Sequence, residues 1–391
     1  MQLRAWYVTS ARWCRAAARA ALLAAAFGAL PPAAARGAEE VHATYHSFSD
    51  SEQNHIDTWV MEYGKGWADA WRANVRAALD RVYLPPLPGL PGSRENVDAI
   101  TAASRPVRSA ADSKQNYLKE RQEITGSVAW APRGRAVRGS GSYYVSRESD
   151  YLAQQAGGEV SRNWNGGMTG LALHTSYGYD RIQPDTHLDG DPALHTRTSL
   201  DLTATCTQTF SPTLQGQAGV ELTAVRGFQS NPYRQVYVGG TKMPERHPDE
   251  RLRRAVFAQV DRWFSTRASG SIGVRYYSDD WGVDAGTFDV RFNQYVGDHF
   301  VARYRYRYHT QTAADFFRDV YNDANGAGGY QSGDYKLQNF DSNLFGVKVS
   351  VPFEGWVSWM DGLVLDLKYE RYFDSNSFAA HVLEAGFSWP F

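Results

Sequence analysis

The stretch RYRYRYHTQ, residues 303–311, alternates arginine and tyrosine with a period of two. Successive side chains of a β-strand point to opposite faces, so Arg303, Arg305 and Arg307 share one face and the tyrosines share the other. A surface that binds single-stranded nucleic acid needs its aromatic and basic side chains on the same face. The spacing therefore predicts a strand between water and an apolar medium, and it argues against a nucleic-acid interface.

The same alternation recurs along the whole chain. In residues 361–374, for example, Leu363, Leu365 and Leu367 oppose the charged positions 366, 368 and 370. A period of two predicts about sixteen strands (an alternative count is 14). Their predicted ranges are 41–49, 54–64, 68–82, 119–131, 135–147, 150–164, 167–181, 195–210, 213–227, 250–264, 267–279, 283–296, 299–312, 335–353, 361–374 and 378–391.

The connections between these strands alternate in length. Every second one is short, as in "GKG", "PRG" and "NGG", whereas the other set includes four long segments at 83–118, 182–194, 228–249 and 313–334. This rhythm predicts an all-β fold, a transmembrane antiparallel up-and-down β-barrel with short periplasmic turns and long extracellular loops. The loop 83–118 begins with the proline-rich "LPPLPGLPGS", and it either narrows the mouth of the barrel or lies on the surface.

The first 35 residues have the pattern of an export signal. Basic residues precede the apolar run "AALLAAAFGAL", and small residues lead to a predicted cleavage site after Ala35. We therefore predict a signal peptide at 1–35 and a barrel domain at 36–391, located in the outer membrane of a Gram-negative bacterium. Removal of the peptide takes away four arginines, which leaves 37 basic against 42 acidic side chains, a net charge of −5. That balance disfavours a nucleic-acid partner.

Several segments together resemble a known family. They are "SRESDYLAQQAGGEVSRNWN", "SNPYRQVYVGG", "ERHPDERLRRAVFAQVDRW", "YRYHTQTAADFF" and "VLDLKYERY". In sequence and in order they are similar to an uncharacterised bacterial outer-membrane barrel family, domain of unknown function 3570. The resemblance implies an outer-membrane barrel without an assigned substrate. It also implies an envelope redox context, and hence a periplasmic partner.

Charged residues alternate with apolar ones on the strands of the second half of the chain, and they are the predicted lumen-lining set. Inward acids stand on the strands next to the arginine ladder, so we expect a lumen crossed by ion pairs between strands. The alternative is a basic stripe that selects anions. The predicted lumen-lining residues are Arg303, Arg305, Arg307, Asp289, Arg291, Asp366, Lys368, Glu370, Glu384 and Lys348.

Other reactive side chains give weaker patterns. His42 and His46 share a strand face with His55 nearby, but a spacing of four residues on a strand is about 13 Å, too far for one metal ion. His174 and Ser176 share an inward face without any catalytic motif. Cys206 is the only cysteine after residue 35, and it falls on an apolar row. No cofactor, metal or catalytic site is predicted.

Taken together, these patterns predict a porin-like channel for small polar or ionic solutes. A non-conducting scaffold that holds an envelope partner is the alternative, and a barrel-embedded hydrolase is the third hypothesis. The expected partners are outer-membrane lipid and the barrel assembly machinery, which would recognise the C-terminal aromatic residue Phe391.

Overall fold

The protein folds into one closed antiparallel barrel of sixteen strands. The computed structural model describes residues 39–51, 53–68, 70–84, 117–184, 193–232, 234–239, 241–264, 267–297, 300–321, 329–353 and 362–390. The predicted signal peptide, most of the loop 83–118, and Phe391 lie outside these residues. No helix in the described part of the chain is long and apolar enough to cross a membrane.

The barrel strands follow each other in chain order, each hydrogen-bonded to its neighbours, and the first strand pairs with the last to close the ring. Their bounds are β1 Glu39–Asp50, β2 His55–Trp67, β3 Trp71–Leu84, β4 Tyr117–Trp130, β5 Val137–Arg147, β6 Tyr151–Trp164, β7 Thr169–Ile182, β8 His195–Ser211, β9 Leu214–Gly227, β12 Glu250–Phe264, β13 Ala268–Asp279, β14 Asp284–Val296, β15 Phe300–Gln311, β16 Phe340–Pro352, β17 Val364–Asp374 and β18 Ala379–Pro390. Two short strands, β10 Gln235–Val238 and β11 Thr241–Pro244, form a separate hairpin.

The sixteen predicted strands are confirmed, and their ends fall within three residues of the observed ones with a single exception. The strand predicted from residue 335 begins at Phe340, because residues 335–337 form a single 3₁₀ turn. The side chain of Asp334 accepts a hydrogen bond from the Lys336 amide and caps that turn. The predicted loop 228–249 contains the hairpin β10–β11, which the periodicity did not indicate.

The outer face carries a continuous apolar belt. Directly opposed residues of an antiparallel pair point to the same side, so the register carries one face around the whole barrel. On that face large apolar side chains are exposed all the way round, such as Val160 at 60 %, Leu383 at 56 % and Ile272 at 54 %. A water-soluble protein does not expose so wide a continuous apolar surface. The belt is the lipid-facing surface of a transmembrane barrel.

Charged side chains mark the two edges of the belt. On β12 the outward residues Arg254 and Arg262 bracket Val256, Ala258 and Val260. Eight residues span about 27 Å along a strand, which is roughly 20 Å along the barrel axis at a tilt of about 40°. That height is comparable to the apolar band of outer-membrane barrels. Near the turn end the aromatic rings of Trp67, Trp71 and Trp130 lie next to one another, as expected at a membrane interface.

A charge in the middle of the belt should oppose insertion into a membrane. Val220 faces outward between Ala204 of β8 and Val256 of β12. We expect Val220→Arg to destabilise the inserted barrel by about 2–4 kcal/mol, measured by urea unfolding in lipid vesicles. Gln217→Arg, which adds the same charge to the inner face of the same strand, is the matched control. Equal losses in the two variants would contradict this assignment of faces.

Candidate functional site

The inner face of β14–β18 holds all ten residues that were predicted to line the lumen. By register, Asp289 lies opposite Arg307, and Arg291 lies opposite Arg305, on the face away from the apolar belt. The same face continues through Lys348 on β16 and the charged residues of β17 and β18. The structure therefore brings these residues together on one wall, which we call the cationic wall. That the wall borders a conducting pore stays a prediction.

Asp289 is the centre of the part of this wall that lies nearer the long loops. Its carboxylate accepts from three guanidinium groups, with N–O distances of 2.8 Å to Arg291, 2.9 Å to Arg305 and 2.9 Å to Arg307. One negative charge thus serves three positive charges. The group as a whole keeps a surplus of positive charge even though every one of its members is ion-paired.

Arg305 also reaches across a strand to the carboxylate of Glu370, at 3.1 Å. The residue between them in the register is Gly346, opposite Arg305 on one side and opposite Glu370 on the other. A Cβ at position 346 would lie 3.0 Å from the Cγ of Glu370, tighter than ordinary packing. The glycine leaves the space in which the two side chains meet.

Nearer the short turns, the wall contains a second series of ion pairs. Lys348 pairs with Asp366 at 2.9 Å, and Lys368 lies 2.7 Å from Glu384 and 3.7 Å from Glu370. Arg303 differs from these residues. Its guanidinium donates to the amide oxygen of Asn293 at 2.7 Å, it contacts no carboxylate within the described residues, and its side chain is exposed.

These side chains surround a small cavity of about 170 Å³ on the inner face. Five cations and two carboxylates border it: Arg291, Arg303, Arg305, Lys348, Lys368, Glu370 and Glu384. Over the ten predicted residues the count is six cations to four carboxylates. The arginine ladder is therefore extensively ion-paired, and it still carries excess positive charge. That it selects anions stays a prediction.

The opposite wall of the barrel is of a different kind. On the inner face of β5–β8 small side chains dominate, and by register Ser140 and Ser142 lie beside Glu159 and Gly157. Thr203, Thr205 and Thr207 continue this small polar surface on β8. Charged side chains are fewer on this wall than on the cationic wall. Small residues here leave room facing the long side chains of the cationic wall.

Two long loops fold against each other at the end of the barrel opposite the short turns. We call the described residues of 228–249 and 312–339 the loop cap. At its centre Glu245 is fully buried and pairs with Arg234, which is 5 % exposed, at 3.1 Å. Glu245 also accepts hydrogen bonds from the Asn231 amide at 2.9 Å and the Ser332 hydroxyl at 2.8 Å.

The loop cap is tied to the inner face of the barrel. Gln311 at the end of β15 donates to the carbonyl oxygens of Lys336 and Gln338 at 2.9 and 2.8 Å. The guanidinium of Arg251, an inward residue of β12, lies 4.1 Å from the centre of the Trp281 ring, which packs in turn on Phe316. These contacts attach the loop cap to inward-facing residues at the long-loop end of the barrel.

The histidine and serine candidates do not converge. Register places His42 and His46 on the inner face and His55 on the outer face, where it lies 3.1 Å from Asp57. No group of three metal-ligating side chains exists within the described residues. The Ser176 hydroxyl donates to Asp201 at 3.1 Å and accepts from Gln155 at 2.8 Å. Cys206 is exposed on the outer row.

The sequence matches one protein-family model, that of the protein of unknown function DUF3570, over residues 14–376. The chain belongs to this family. The predicted resemblance is thereby confirmed, and the function of the family is unknown. No curated protein sequence matches the chain.

Solved barrel structures resemble the family member more distantly. A BenF-like porin from Pseudomonas fluorescens Pf-5 has 8 % identity and a TM-score of 0.46, covering 91 % of this chain and 99 % of the porin. The outer-membrane protein opdK from Pseudomonas aeruginosa has 8 % identity and a TM-score of 0.42, with the same coverage. The ferric enterobactin receptor of that organism has 10 % identity and a TM-score of 0.43, covering 85 % of this chain and 53 % of the receptor. TM-scores this low say nothing about which solute or ligand this protein binds. The assignment of a barrel rests on the observed strand pairing.

Proposed function

We propose that the protein is a porin-like channel of the outer membrane that passes small polar solutes and prefers anions. The observation that carries the proposal is the cationic wall, in which six cations share four carboxylates and Arg303 has no carboxylate partner among the described residues. Small anions would be attracted to such a surface, as they are to rings of basic side chains in anion pores. The facing wall of small hydroxyl-bearing residues gives them room to pass.

Planar-bilayer recording of the refolded barrel tests this proposal. We expect single-channel currents whose reversal potential in a KCl gradient indicates preference for chloride. Because exposed charges are screened over about 10 Å at 0.1 M salt and about 3 Å at 1 M, the preference should weaken as salt rises. A folded barrel that carries no current, or one that prefers potassium, would overturn the proposal.

Placement in the outer membrane is part of the same proposal. The apolar belt and the alternation of short turns with long loops support it. Export by residues 1–35 and recognition of Phe391 by the assembly machinery complete it, and both stay predictions. Cell fractionation with an antibody against a surface-loop tag would test the placement directly.

A scaffold function is the second candidate, and the loop cap favours it. Loops fixed by a buried ion pair present a constant surface, which suits the binding of a partner protein. Crosslinking and affinity purification from solubilised membranes would distinguish the two functions. A scaffold retains a stoichiometric partner, whether periplasmic or at the surface, whereas a channel is recovered alone and conducts.

A further inference from the structure

Two arginines lie on the outer face of the barrel, at the edge of the apolar belt nearer the long loops. They have no part in the proposed channel, which lies on the inner face. Arg147 ends β5, and Arg181 lies near the end of β7. Both lie opposite Leu152 of β6 in the register, one on each side. Two strand spacings put their Cα atoms about 10 Å apart. Side chains of this length can converge on one group placed above Leu152.

The carboxylates around these two arginines are engaged elsewhere. Glu120 lies 2.9 Å from the guanidinium of Arg81, and Lys119 holds Glu148 and Asp150 at 2.6 and 2.9 Å. Arg147 and Arg181 are both exposed, and neither has an ion pair to a carboxylate of the described residues. This part of the rim therefore offers two guanidinium groups that no carboxylate of the described residues neutralises.

A groove of about 560 Å³ lies between them. Its lining includes both arginines and the apolar side chains of Leu152 and Leu194. It also includes Glu120, Glu148 and Asp150, whose carboxylates are paired with Arg81 and Lys119. Directly below, on the same outer face, the rows of β5 and β7 continue into the belt with Val145, Tyr143 and Tyr179. A ligand in this groove would meet positive charge at the membrane surface and apolar side chains beneath it.

We propose that Arg147 and Arg181 bind the phosphate group of an anionic glycolipid in the outer leaflet, with the acyl chains lying along the belt below. Guanidinium groups match phosphate oxygens with paired, charge-assisted hydrogen bonds. The level of the site, at the boundary between belt and water, is where a lipid head group lies. The inference rests on the proposed function only for placement in the outer membrane, and it does not depend on conduction.

Native mass spectrometry of the refolded full-length barrel tests the site. The probe is a bisphosphorylated, acylated glucosamine disaccharide, compared with its dephosphorylated form. We expect the wild type to prefer the phosphorylated lipid and the pair Arg147→Gln with Arg181→Gln to weaken its binding about thirtyfold, since each basic residue at a lipid surface contributes on the order of 1 kcal/mol. Heat-dependent gel migration shows that each variant is folded.

A matched control removes two other rim arginines, by Arg226→Gln with Arg254→Gln, which lie on the same outer face away from the groove. This pair should change lipid binding less than twofold. Equal binding of the two lipids by the wild type, or equal losses in both double variants, would overturn the proposal. Displacement of the lipid by millimolar inorganic phosphate would overturn it too, by indicating a site for free phosphate. Bilayer recording on the same samples separates the two proposals. If the barrel binds lipid through Arg147 and Arg181 but carries no current, only the channel proposal is contradicted.

Discussion

Replacing Arg234 by methionine is expected to open the loop cap while the barrel strands stay folded. The change leaves the Glu245 carboxylate buried without its cation, a situation that costs about 3–5 kcal/mol in buried pairs. The amides of Arg246 and Gln331 report on the cap, because each donates to the carbonyl oxygen of the other at 2.9 Å and so joins the two loops. Their hydrogen exchange should accelerate by roughly a hundredfold, as 3 kcal/mol implies.

Two further variants make this expectation specific. Arg234→Met combined with Glu245→Leu removes both charges, so it should restore much of the lost protection. Asp334→Asn removes only the more exposed partner of Arg234, 21 % exposed and 3.3 Å away, and should cost below about 1 kcal/mol. Unchanged exchange in Arg234→Met would show that the pair does not hold the cap.

Acid should leave the cap closed. Burial by itself would raise the pKa of Glu245, but the charge of Arg234 and the hydrogen bonds from His247 and Asn231 outweigh burial and hold that pKa well below its usual range. A depressed folded pKa gives stability that is complete above the unfolded pKa of about 4.3 and is lost only as the pH falls through the folded value. Protection of Arg246 and Gln331 should therefore persist at about pH 4, and Glu245→Gln should remove it at neutral pH.

Replacing Arg303 by glutamate is expected to shift the ion preference of the channel from anions towards cations. Arg303 is exposed, and within the described part of the chain the only hydrogen bond of its side chain goes to an amide, so the change alters charge without breaking an ion pair there. Two charge units a few ångströms from a passing ion in partly screened water amount to about 1 kcal/mol, or roughly a fivefold change in the permeability ratio. Reversal potentials in a salt gradient measure that ratio.

The control for Arg303→Glu is Arg262→Glu, which makes the same change of charge on the outer face of β12. Its permeability ratio should equal that of the wild type. Arg305→Glu is a less direct probe, because it also removes the cation from between Asp289 and Glu370. If Arg303→Glu left selectivity unchanged while current flowed, the permeating ions would not pass the cationic wall.

The sequence determined the strands well, and the reason is physical. A barrel strand between lipid and water must alternate, so the arginine–tyrosine stretch of β15 shows its faces directly. The exceptions are local. The four-residue strands β10 and β11 are too short to show a period, and the capped turn before β16 begins with Tyr335, a residue type common in strands.

For the candidate site, the sequence predicted which residues point inward but not which of them contact one another. Alternation indicates that Arg305 and Glu370 point inward, but their contact depends on the register of three strands and on Gly346 between them. The small polar wall was visible in part as the run "GSGS" at 139–142. The buried pair Arg234–Glu245 was not predicted, since both residues lie in a loop where no periodicity indicates burial.

The seam between β1 and β18 has a consequence for how the protein is made. Its register joins Glu40 to Pro390, so the contact that completes the ring links residues at opposite ends of the polypeptide. Until β18 is present, β1 and β17 each have a row of unpaired backbone N–H and C=O groups, which hydrocarbon does not tolerate. A prematurely terminated chain can therefore form most of its hairpins and still be unfit for the bilayer. We therefore expect closure of the ring to be the last step of assembly, and we expect chains truncated before β18 to remain outside the membrane.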